Sequence, residues 1–325
     1  MPLTFDLPRE QLQTYQGKNP RPHDFDPFWD KSLAEMRAID AQVELIPAEF
    51  QASNVECFHL LFTGVGGARI HAKLLRPTNA PSPHPAILLF HGYTGDSGDW
   101  YDKLGYAAAG FTVAALDCRG QAGLSEDIGS VSGNTLHGHI IRGLEDALRG
   151  SPEKMLFRQV FLDTAQLARI VMEMPDVDGN RVGAAGGSQG GALTIACAAL
   201  EPRIKRAAPV YPFLSDYMRV WEMDQAKDAY RELQEYFRHS DPMHKLEDKI
   251  FEKLGYIDIQ FLAPRIRAEI LWGLGLMDTI CPPSTQFAVY NKIVAQKTMV
   301  VYPDFGHESL PGFNDQTFQF LKGLL

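Results

Sequence analysis

Gly186-Gly187-Ser188-Gln189-Gly190 lies between a predicted strand and a predicted helix. The strand is the apolar segment 181–185, entered from an expected turn at Asp178-Gly179-Asn180. The helix is predicted from residues 192–200, which are rich in small and helix-forming side chains. Strand, G-x-S-x-G and helix in this order are typical of a nucleophile elbow, so we expect Ser188 at the tip of a strained turn. The alternative is a glycine-rich turn that happens to contain serine.

The composition is that of a globular protein with an acidic balance. The 325 residues include 31 Lys and Arg against 40 Asp and Glu, a formal net charge of −9. This charge argues against nucleic acid or an anionic membrane as a main partner. We expect no signal peptide, and the apolar run at 86–90 is far too short to span a bilayer. The four scattered cysteines are expected to be reduced, packed thiols of a cytoplasmic protein.

The order of apolar runs predicts one α/β domain over residues 1–325. Residues 1–50 are expected to form an N-terminal extension whose aromatic side chains pack on the body of the domain. A short helix is predicted at 32–37, after a proline that suits a helix start. Two strand-like segments between residues 55 and 76 flank a glycine-rich turn and predict a hairpin.

After the proline-rich link at 77–85, apolar runs alternate with helical patterns. The predicted core strands are 86–90, 111–116, 181–185, 206–210, 268–273 and 298–302. This alternation predicts a doubly wound, mostly parallel sheet with helices on both faces. Residues 122–152 are expected to be a long irregular loop. The charged, aromatic segment 216–256 predicts a helical insertion that covers the carboxyl edge of the sheet.

A nucleophilic serine needs a base that accepts its proton, and the base needs an orienting carboxylate. In the α/β-hydrolase arrangement the chain order is serine, acid, histidine. His307 follows the last predicted strand and precedes the last predicted helix, which is where such a base lies. His239 and His244 lie in the charged insertion, where we expect solvated side chains. We therefore predict His307 as the base, with a structural histidine as the alternative.

The orienting acid is expected at the carboxyl end of another strand, because sites in open α/β sheets form along that edge. Of the aspartates between Ser188 and His307, only Asp278 comes directly after a predicted core strand. A local cap for the turn at 279–283 is the alternative role for Asp278. Asp304 lies too close to His307 in the chain to orient it comfortably.

A tetrahedral oxyanion needs preorganised N–H donors. The residue after the nucleophile supplies one, which points to Gln189, and the loop after strand 86–90 supplies the other, which points to Tyr93. An aromatic packed at the mouth of the pocket is the alternative role for Tyr93. His137-Gly138-His139 has no cysteine or carboxylate set nearby, so we expect no metal there.

Together these motifs resemble a known family. Arg119-Gly120-Gln121, the pentapeptide at 186–190 and His307-Glu308, in this order, are similar to the signature of the carbohydrate esterase family that holds acetyl xylan esterases and cephalosporin C deacetylases. The further segments that resemble this family are His91-Gly92-Tyr93, Gly138 to Gly143, Cys281 to Thr285 and Phe25 to Trp29.

The resemblance implies an α/β-hydrolase fold, an intracellular location, no cofactor, and a hexamer built as a dimer of trimers. It implies removal of acetyl groups from small substrates such as acetylated xylo-oligosaccharides and cephalosporin C. The roles it implies are Ser188 as nucleophile, Asp278 as orienting acid, His307 as base, Tyr93 and Gln189 as oxyanion donors, and Arg119 as a structural tie beneath the site.

Two other functions are compatible with the sequence. A broad-specificity esterase or peptidase of the same fold would use the insertion after Asp216 as a peptide-sized cap. A binding protein would have kept the fold without turnover, which the intact set of Ser188, Asp278 and His307 argues against.

Overall fold

A computed structural model of the chain describes residues 5–128 and 139–325. The strands within these ranges are β1 Glu44–Pro47, β2 Val55–Thr63, β3 Arg69–Pro77, β4 His84–Phe90, β5 Thr112–Leu116, β6 Val177–Gly187, β7 Arg206–Val210, β8 Glu269–Gly275 and β9 Lys297–Tyr302. The helices are α1 Arg9–Leu12, α2 Phe25–Ala38, α3 Leu104–Ala108, α4 Leu144–Leu148, α5 Leu156–Met172, α6 Gln189–Leu200, α7 Tyr217–Glu222, α8 Arg231–Ser240, α9 Glu247–Leu254, α10 Ile259–Leu262, α11 Pro283–Tyr290 and α12 Phe313–Lys322.

The described strands form one nine-stranded sheet in the order β1-β2-β3-β5-β4-β6-β7-β8-β9. The run from β5 to β9 is parallel, and the hairpin β2–β3, with β1 at its edge, joins it antiparallel through β3. The carboxyl ends of six parallel strands therefore meet at one edge of the sheet. The predicted mostly parallel sheet and its hairpin are confirmed.

Both faces of the central strands are buried, which explains why these strands consist mainly of apolar residues. Ile87 and Ala185 point to the face covered by α12, where they share a core with Leu321. Their neighbours Leu88 and Ala184 point to the opposite face and belong to the core beneath α5 and α6. Helices thus cover both faces, as predicted.

The N-terminal extension packs on the body of the protein. The ring of Trp29 is fully buried and stacks on Phe161 of α5 at 6.0 Å, and its Nε1 donates to the carbonyl of Tyr256 at 3.0 Å. The helix here is longer than predicted, because α2 begins at Phe25. Pro27 falls in the first turn of α2, where its missing N–H has no intrahelical partner to lose.

The turn expected at Asp178-Gly179-Asn180 falls at an irregularity inside β6. The register with β4 shifts between Val177 and Val182, and within this stretch the Asn180 N–H donates to Asp178 Oδ1 at 2.9 Å. The local turn preference therefore takes the form of a bulge inside a longer strand. One local prediction is wrong. The loop predicted at 122–152 contains α4 in its described part, while residues 129–138 lie outside the description.

The insertion after Asp216 is helical, as predicted, and contains α7, α8 and α9. Its aromatic side chains pack together, as in the contact between Trp221 and Phe237 with ring centroids 4.6 Å apart. Glu232 of α8 reaches Tyr93, which follows β4, so the insertion covers the carboxyl edge of the sheet at this point. No helix within residues 5–128 and 139–325 combines the length and apolar character needed to cross a bilayer.

Candidate active site

Ser188 lies at a strained turn between β6 and α6. Its φ of 58° and ψ of −120° fall outside the regions that non-glycine residues ordinarily adopt. The conformation is held by the Ser188 N–H, which donates to the carbonyl of Val210 at 2.9 Å. A Cβ on Gly190 would overlap the carbonyl oxygen of Phe90, and one on Gly186 would lie 2.6 Å from it. The predicted elbow and the need for both glycines are confirmed.

His307 and Asp278 meet Ser188 at this edge of the sheet. The Nε2 atom of His307 lies 3.0 Å from the Ser188 Oγ, and its Nδ1 lies 2.9 Å from the Asp278 Oδ2. The ring of Tyr211 packs against the imidazole with centroids 4.5 Å apart. An Nδ1–H that donates to the carboxylate leaves the Nε2 lone pair directed at the serine hydroxyl, which is the arrangement a general base requires.

Asp278 uses its two oxygens for different partners. Oδ1 accepts the backbone N–H groups of Ile280 and Cys281 at 2.9 and 2.8 Å, while Oδ2 faces His307. The side chain is fully buried. The carboxylate therefore caps the turn and contacts the imidazole at the same time, while its role as the orienting acid stays a prediction.

The other candidates considered for the base and the acid lie elsewhere. His239 is exposed, and the Nδ1 of His244 lies 2.7 Å from Glu247 at the surface of the insertion. Asp304 is exposed. These placements agree with the solvated side chains expected for both histidines.

Tyr93 and Gln189, the predicted oxyanion donors, belong to two different parts of the fold. Tyr93 follows β4, and Gln189 is the first residue of α6. In the described part of the chain, no protein group accepts the backbone N–H of either residue. The side chain of Gln189 is buried and exchanges two hydrogen bonds with the amide of Gln121, at 2.6 and 3.0 Å. The role of these two N–H groups as oxyanion donors stays a prediction.

Arg119 has the structural contacts that the resemblance implied. Its Nε and Nη2 donate to the two oxygens of Asp163 at 2.7 and 2.6 Å. Its Nη1 donates to the carbonyl of Val65 and to Gln159. Both members of the ion pair are 1% exposed. Arg119 therefore ties the loop after β5 to α5 and to the hairpin.

Sequence reasoning missed three side chains at or near the site. Tyr211 packs on the imidazole of His307, Glu232 binds the phenol of Tyr93, and Cys281 lies beside Asp278. Burial, with a contribution from Asp278, raises the pKa of the Cys281 thiol well above its ordinary value. The sequence offered one indication that Tyr211 lies near the site, namely its position directly after β7. The contacts of Glu232 and Cys281 depend on tertiary packing.

The structure gives two observations on metal-ligating side chains. In the His137-Gly138-His139 segment, where no metal is expected, His137 and Gly138 lie outside the described residues. The Nε2 of His139 donates to the carbonyl of Gly120 at 2.5 Å, and its Nδ1 lies 3.1 Å from the Tyr93 hydroxyl. Asp278, Cys281 and His307 place one potential ligand atom each within 4.8 Å of one another. This second group shares two members with the serine site.

A cavity of about 550 Å³ adjoins the site on the face of the sheet covered by α3 and α12. Gly187 and Tyr211 line it next to the elbow, and Ser309 lines it just after His307. Tyr106 and Phe318 form an aromatic wall, with ring centroids 5.3 Å apart. Its volume is in the range of small-molecule sites, roughly 300 to 1,000 Å³.

Known proteins similar to this chain share both its sequence pattern and its fold. The family model described as acetyl xylan esterase (AXE1) matches residues 1–324. The acetyl esterase Axe7A of Xylanibacter ruminicola is 25% identical over 320 residues, which cover 96% of this chain and 69% of that protein.

Two solved structures are similar over nearly the whole chain. Acetyl xylan esterase 1 from Thermoanaerobacterium sp. JW/SL YS485 is 56% identical, with a TM-score of 0.95, covering 98% of this chain and 99% of that one. The acetyl xylan esterase from Paenibacillus sp. R4 is 33% identical, with a TM-score of 0.90, covering 98% and 100%. The nine-stranded sheet, the elbow and these relatives agree on an esterase with the α/β-hydrolase fold. This chain belongs to the acetyl xylan esterase family.

Proposed function

We propose that this esterase removes O-acetyl groups from small substrates, such as acetylated xylo-oligosaccharides and cephalosporin C, through an acetyl-enzyme on Ser188. The observation that carries the proposal is the chain of contacts from Asp278 to His307 to Ser188, at 2.9 and 3.0 Å. Membership of the acetyl xylan esterase family supports acetyl as the acyl group.

In the proposed cycle, the Ser188 Oγ attacks the acetyl carbonyl carbon while His307 Nε2 accepts the hydroxyl proton. The resulting oxyanion accepts the backbone N–H groups of Tyr93 and Gln189. Collapse of this intermediate expels the sugar oxygen, which takes the proton from His307. Water then attacks the acetyl carbonyl and gives its proton to His307, and collapse releases acetate as Ser188 recovers its hydrogen. Asp278 stabilises the imidazolium that forms twice in the cycle.

The cavity beside Tyr211 supports a sugar-sized leaving group. Its aromatic wall of Tyr106 and Phe318 offers flat apolar surfaces, and Asp102 and Asp315 line it with carboxylates that accept hydroxyl hydrogen bonds. We propose that the alcohol part of the substrate lies on this side, where His307 protonates it. Tyr93 on the opposite side would limit the space for the acyl group.

A substrate panel tests the proposal. Acetylated xylobiose, cephalosporin C, polymeric acetyl xylan, p-nitrophenyl acetate and an acylated peptide amide are compared at equal concentration. We expect release of acetate from the small esters and little turnover of the amide. Dominant hydrolysis of the peptide amide would favour the peptidase of the same fold instead.

Ser188→Ala tests the nucleophile directly. We expect p-nitrophenyl acetate hydrolysis to fall by roughly 10⁴-fold or more, since the attacking group is removed. A fluorophosphonate should label the natural protein at Ser188 and leave the variant unlabelled. Hydrolysis at the natural rate in Ser188→Ala would rule out the mechanism. Absence of turnover in the natural protein would favour a binding role.

Assembly and location are also proposed from the family likeness. We propose a hexamer built as a dimer of trimers, located in the cytoplasm, with no nucleic acid or membrane partner. The net charge of −9 supports the absence of anionic partners. Light scattering should give a mass six times the 36.2 kDa of one chain, and fractionation of the source cells should place the protein in the cytoplasm.

A further inference from the structure

The side chain of Tyr93 is held by ring packing and by hydrogen bonds of its hydroxyl group. Its ring packs on Phe213 and on the imidazole of His139, with centroids 5.3 and 5.2 Å away. Its hydroxyl accepts the backbone N–H of His139 at 3.1 Å and donates to Glu232 Oε1 at 2.5 Å. The residue that carries one proposed oxyanion donor is thus fixed through its side chain by the insertion.

Glu232 is a buried acid that joins three segments. It lies on α8, is 4% exposed, and uses its second oxygen, Oε2, to accept the backbone N–H of Ile141 at 2.9 Å. Its carboxylate therefore links the helical insertion to the segment at 139–141 and to the loop after β4. Either contact alone would restrain one segment, whereas both together fix the position of Tyr93 relative to the insertion.

Burial of the Glu232 carboxylate is unfavourable unless its hydrogen bonds are retained. Burial raises the pKa of Glu232 to about 7, although hydrogen bonds from Tyr93 and the neighbouring backbone act in the opposite direction. Loss of the carboxylate would leave a phenol and the backbone N–H of Ile141 without their acceptor in a dry environment. An apolar residue would fill this space without the desolvation cost of a buried carboxylate. The glutamate is thus a polar connection between the segments it contacts.

The loop that Tyr93 belongs to needs such a restraint. Thr94 has a φ of 59°, in the left-handed region that non-glycine residues rarely adopt, and Gly95 closes a turn by donating to the carbonyl of Gly92. A strained backbone persists only when its surroundings fix it. An oxyanion donor must also be fixed before the reaction, because a shift of about 1 Å in a reacting group can lower the rate about 100-fold.

We propose that Glu232, on the helical insertion, is a positioning residue that fixes the backbone N–H of Tyr93 toward the oxyanion. The inference rests on the proposed acetyl-enzyme mechanism. Glu232 acts through the Tyr93 phenol and does not touch the substrate. The insertion therefore contributes to the rate of the chemical step in addition to covering the site.

Glu232→Gln, Glu232→Ala and Tyr93→Phe test this role with p-nitrophenyl acetate. We expect kcat to fall about 10-fold in Glu232→Gln and Tyr93→Phe and about 100-fold in Glu232→Ala, with KM changed by less than about threefold. Inhibition by an alkylboronic acid, which forms a tetrahedral adduct on the serine, should weaken by the same factors as kcat. Combining Tyr93→Phe with Glu232→Ala should lower kcat no further than Glu232→Ala alone, because the alanine has already removed the acceptor of the phenol hydrogen bond.

Tyr236→Phe is the matched control. Tyr236 lies on the same helix and its hydroxyl donates to Glu145 at 2.5 Å, so it has the same kind of bond without a contact to Tyr93. We expect its kcat and its boronic acid inhibition to stay within twofold of the natural protein.

Three results would overturn the inference: kcat within twofold of natural in Tyr93→Phe, a loss of kcat without weaker boronic acid inhibition, or an equal loss in Tyr236→Phe. Should the Glu232 variants fail to fold, Tyr93→Phe decides, because it removes only one hydroxyl group. An active Ser188→Ala would instead refute the proposed function, so the two failures are distinguishable.

Discussion

The orientation of the His307 imidazole depends on one carboxylate oxygen of Asp278. The other oxygen of Asp278 accepts two backbone N–H groups, from Ile280 and Cys281, and these contacts set the plane of the carboxylate. Asp278 is fully buried. In the proposed mechanism, this one side chain fixes the tautomer of His307 and hence its ability to take a proton from Ser188.

Asp278→Asn should leave the fold intact and remove most of the activity. An asparagine keeps one acceptor oxygen, which must serve either the backbone N–H groups or the imidazole, and in the first case the amide faces Nδ1 and places the imidazole proton on Nε2. We expect kcat for p-nitrophenyl acetate to fall by roughly 10³- to 10⁴-fold with little change in KM.

Asp304→Asn is the control for that substitution, because Asp304 is an exposed acid in the same loop as His307. Its kcat should stay within twofold of the natural value. If Asp278→Asn retained more than a tenth of the natural kcat with a native circular dichroism spectrum, Asp278 would not be the orienting acid.

The positions of Ser188, Asp278 and His307 could be predicted because each follows a strand that is recognisable from its apolar residues. Strands that run parallel end at a common edge, so residues far apart in the chain become neighbours there. Glu232 could not be found in this way, since it lies on a surface-like helix in a charged segment. Its burial results from packing against Tyr93 and Ile141, which the sequence pattern of α8 alone does not indicate.

Among the elements, α5 is joined to the sheet edge by a buried ion pair. Arg119, after β5, binds Asp163 of α5 through two parallel hydrogen bonds. Burial raises the pKa of Asp163 above its ordinary value, and Arg119 opposes that shift. A buried carboxylate of this kind depends on its guanidinium partner, so the contact specifies the position of α5 as well as contributing to stability.

Arg119→Lys should destabilise the protein without touching the substrate site. Lysine has the charge but cannot make the paired contacts with Asp163 while also reaching Val65 and Gln159. We expect the free energy of unfolding in urea to fall by about 2 to 4 kcal/mol. Arg169→Lys, which alters a partly exposed pair with Glu173 on the same helix, should change it by less than about 0.5 kcal/mol. Equal effects of the two substitutions would contradict the role given to the buried pair.

Element types were more predictable than element boundaries. The strands predicted at 86–90 and 206–210 are found as β4 and β7. The turn predicted at 178–180 is an irregularity inside β6, because pairing with β4, about ninety positions earlier, begins at Val177 and resumes at Val182 after a register shift. The local turn signal did not reveal that the strand begins before it.

At the scale of the whole molecule, the N-terminal extension is attached through Asp216, the first residue of the insertion. This buried carboxylate accepts the Tyr15 hydroxyl at 2.8 Å and the backbone N–H groups of Lys18 and Asn19 at 2.9 and 2.8 Å. Its own N–H donates to Asp258 Oδ2 at 2.9 Å. The sequence predicted that the extension packs on the body. It did not predict the contacts of Asp216, because these join residues about two hundred positions apart and leave no local pattern in the sequence.

Asp258 makes the stability of this joint dependent on pH. Burial, reinforced by the nearby charge of Asp216, raises the pKa of Asp258 from its ordinary 3.8 to about 7. The folded protein therefore retains a proton that the unfolded chain releases near pH 4. Stability from this group is fully present below about pH 4 and is lost as pH rises through about 7, with a slope of up to about 1.4 kcal/mol per pH unit.

Asp258→Asn should remove this dependence, because asparagine stays neutral at every pH. The substitution weakens one of the hydrogen bonds from Gln260 and Asp216, which lowers stability by an amount that does not vary with pH. Between about pH 5 and pH 8, we expect the free energy of unfolding of the natural protein to fall by about 2 to 3 kcal/mol relative to that of the variant. Urea unfolding at each pH measures this difference. Titrating groups distant from Asp258 are common to both proteins and cancel in the difference. Parallel curves for the two proteins would show that Asp258 titrates in the folded state as it does in the unfolded chain.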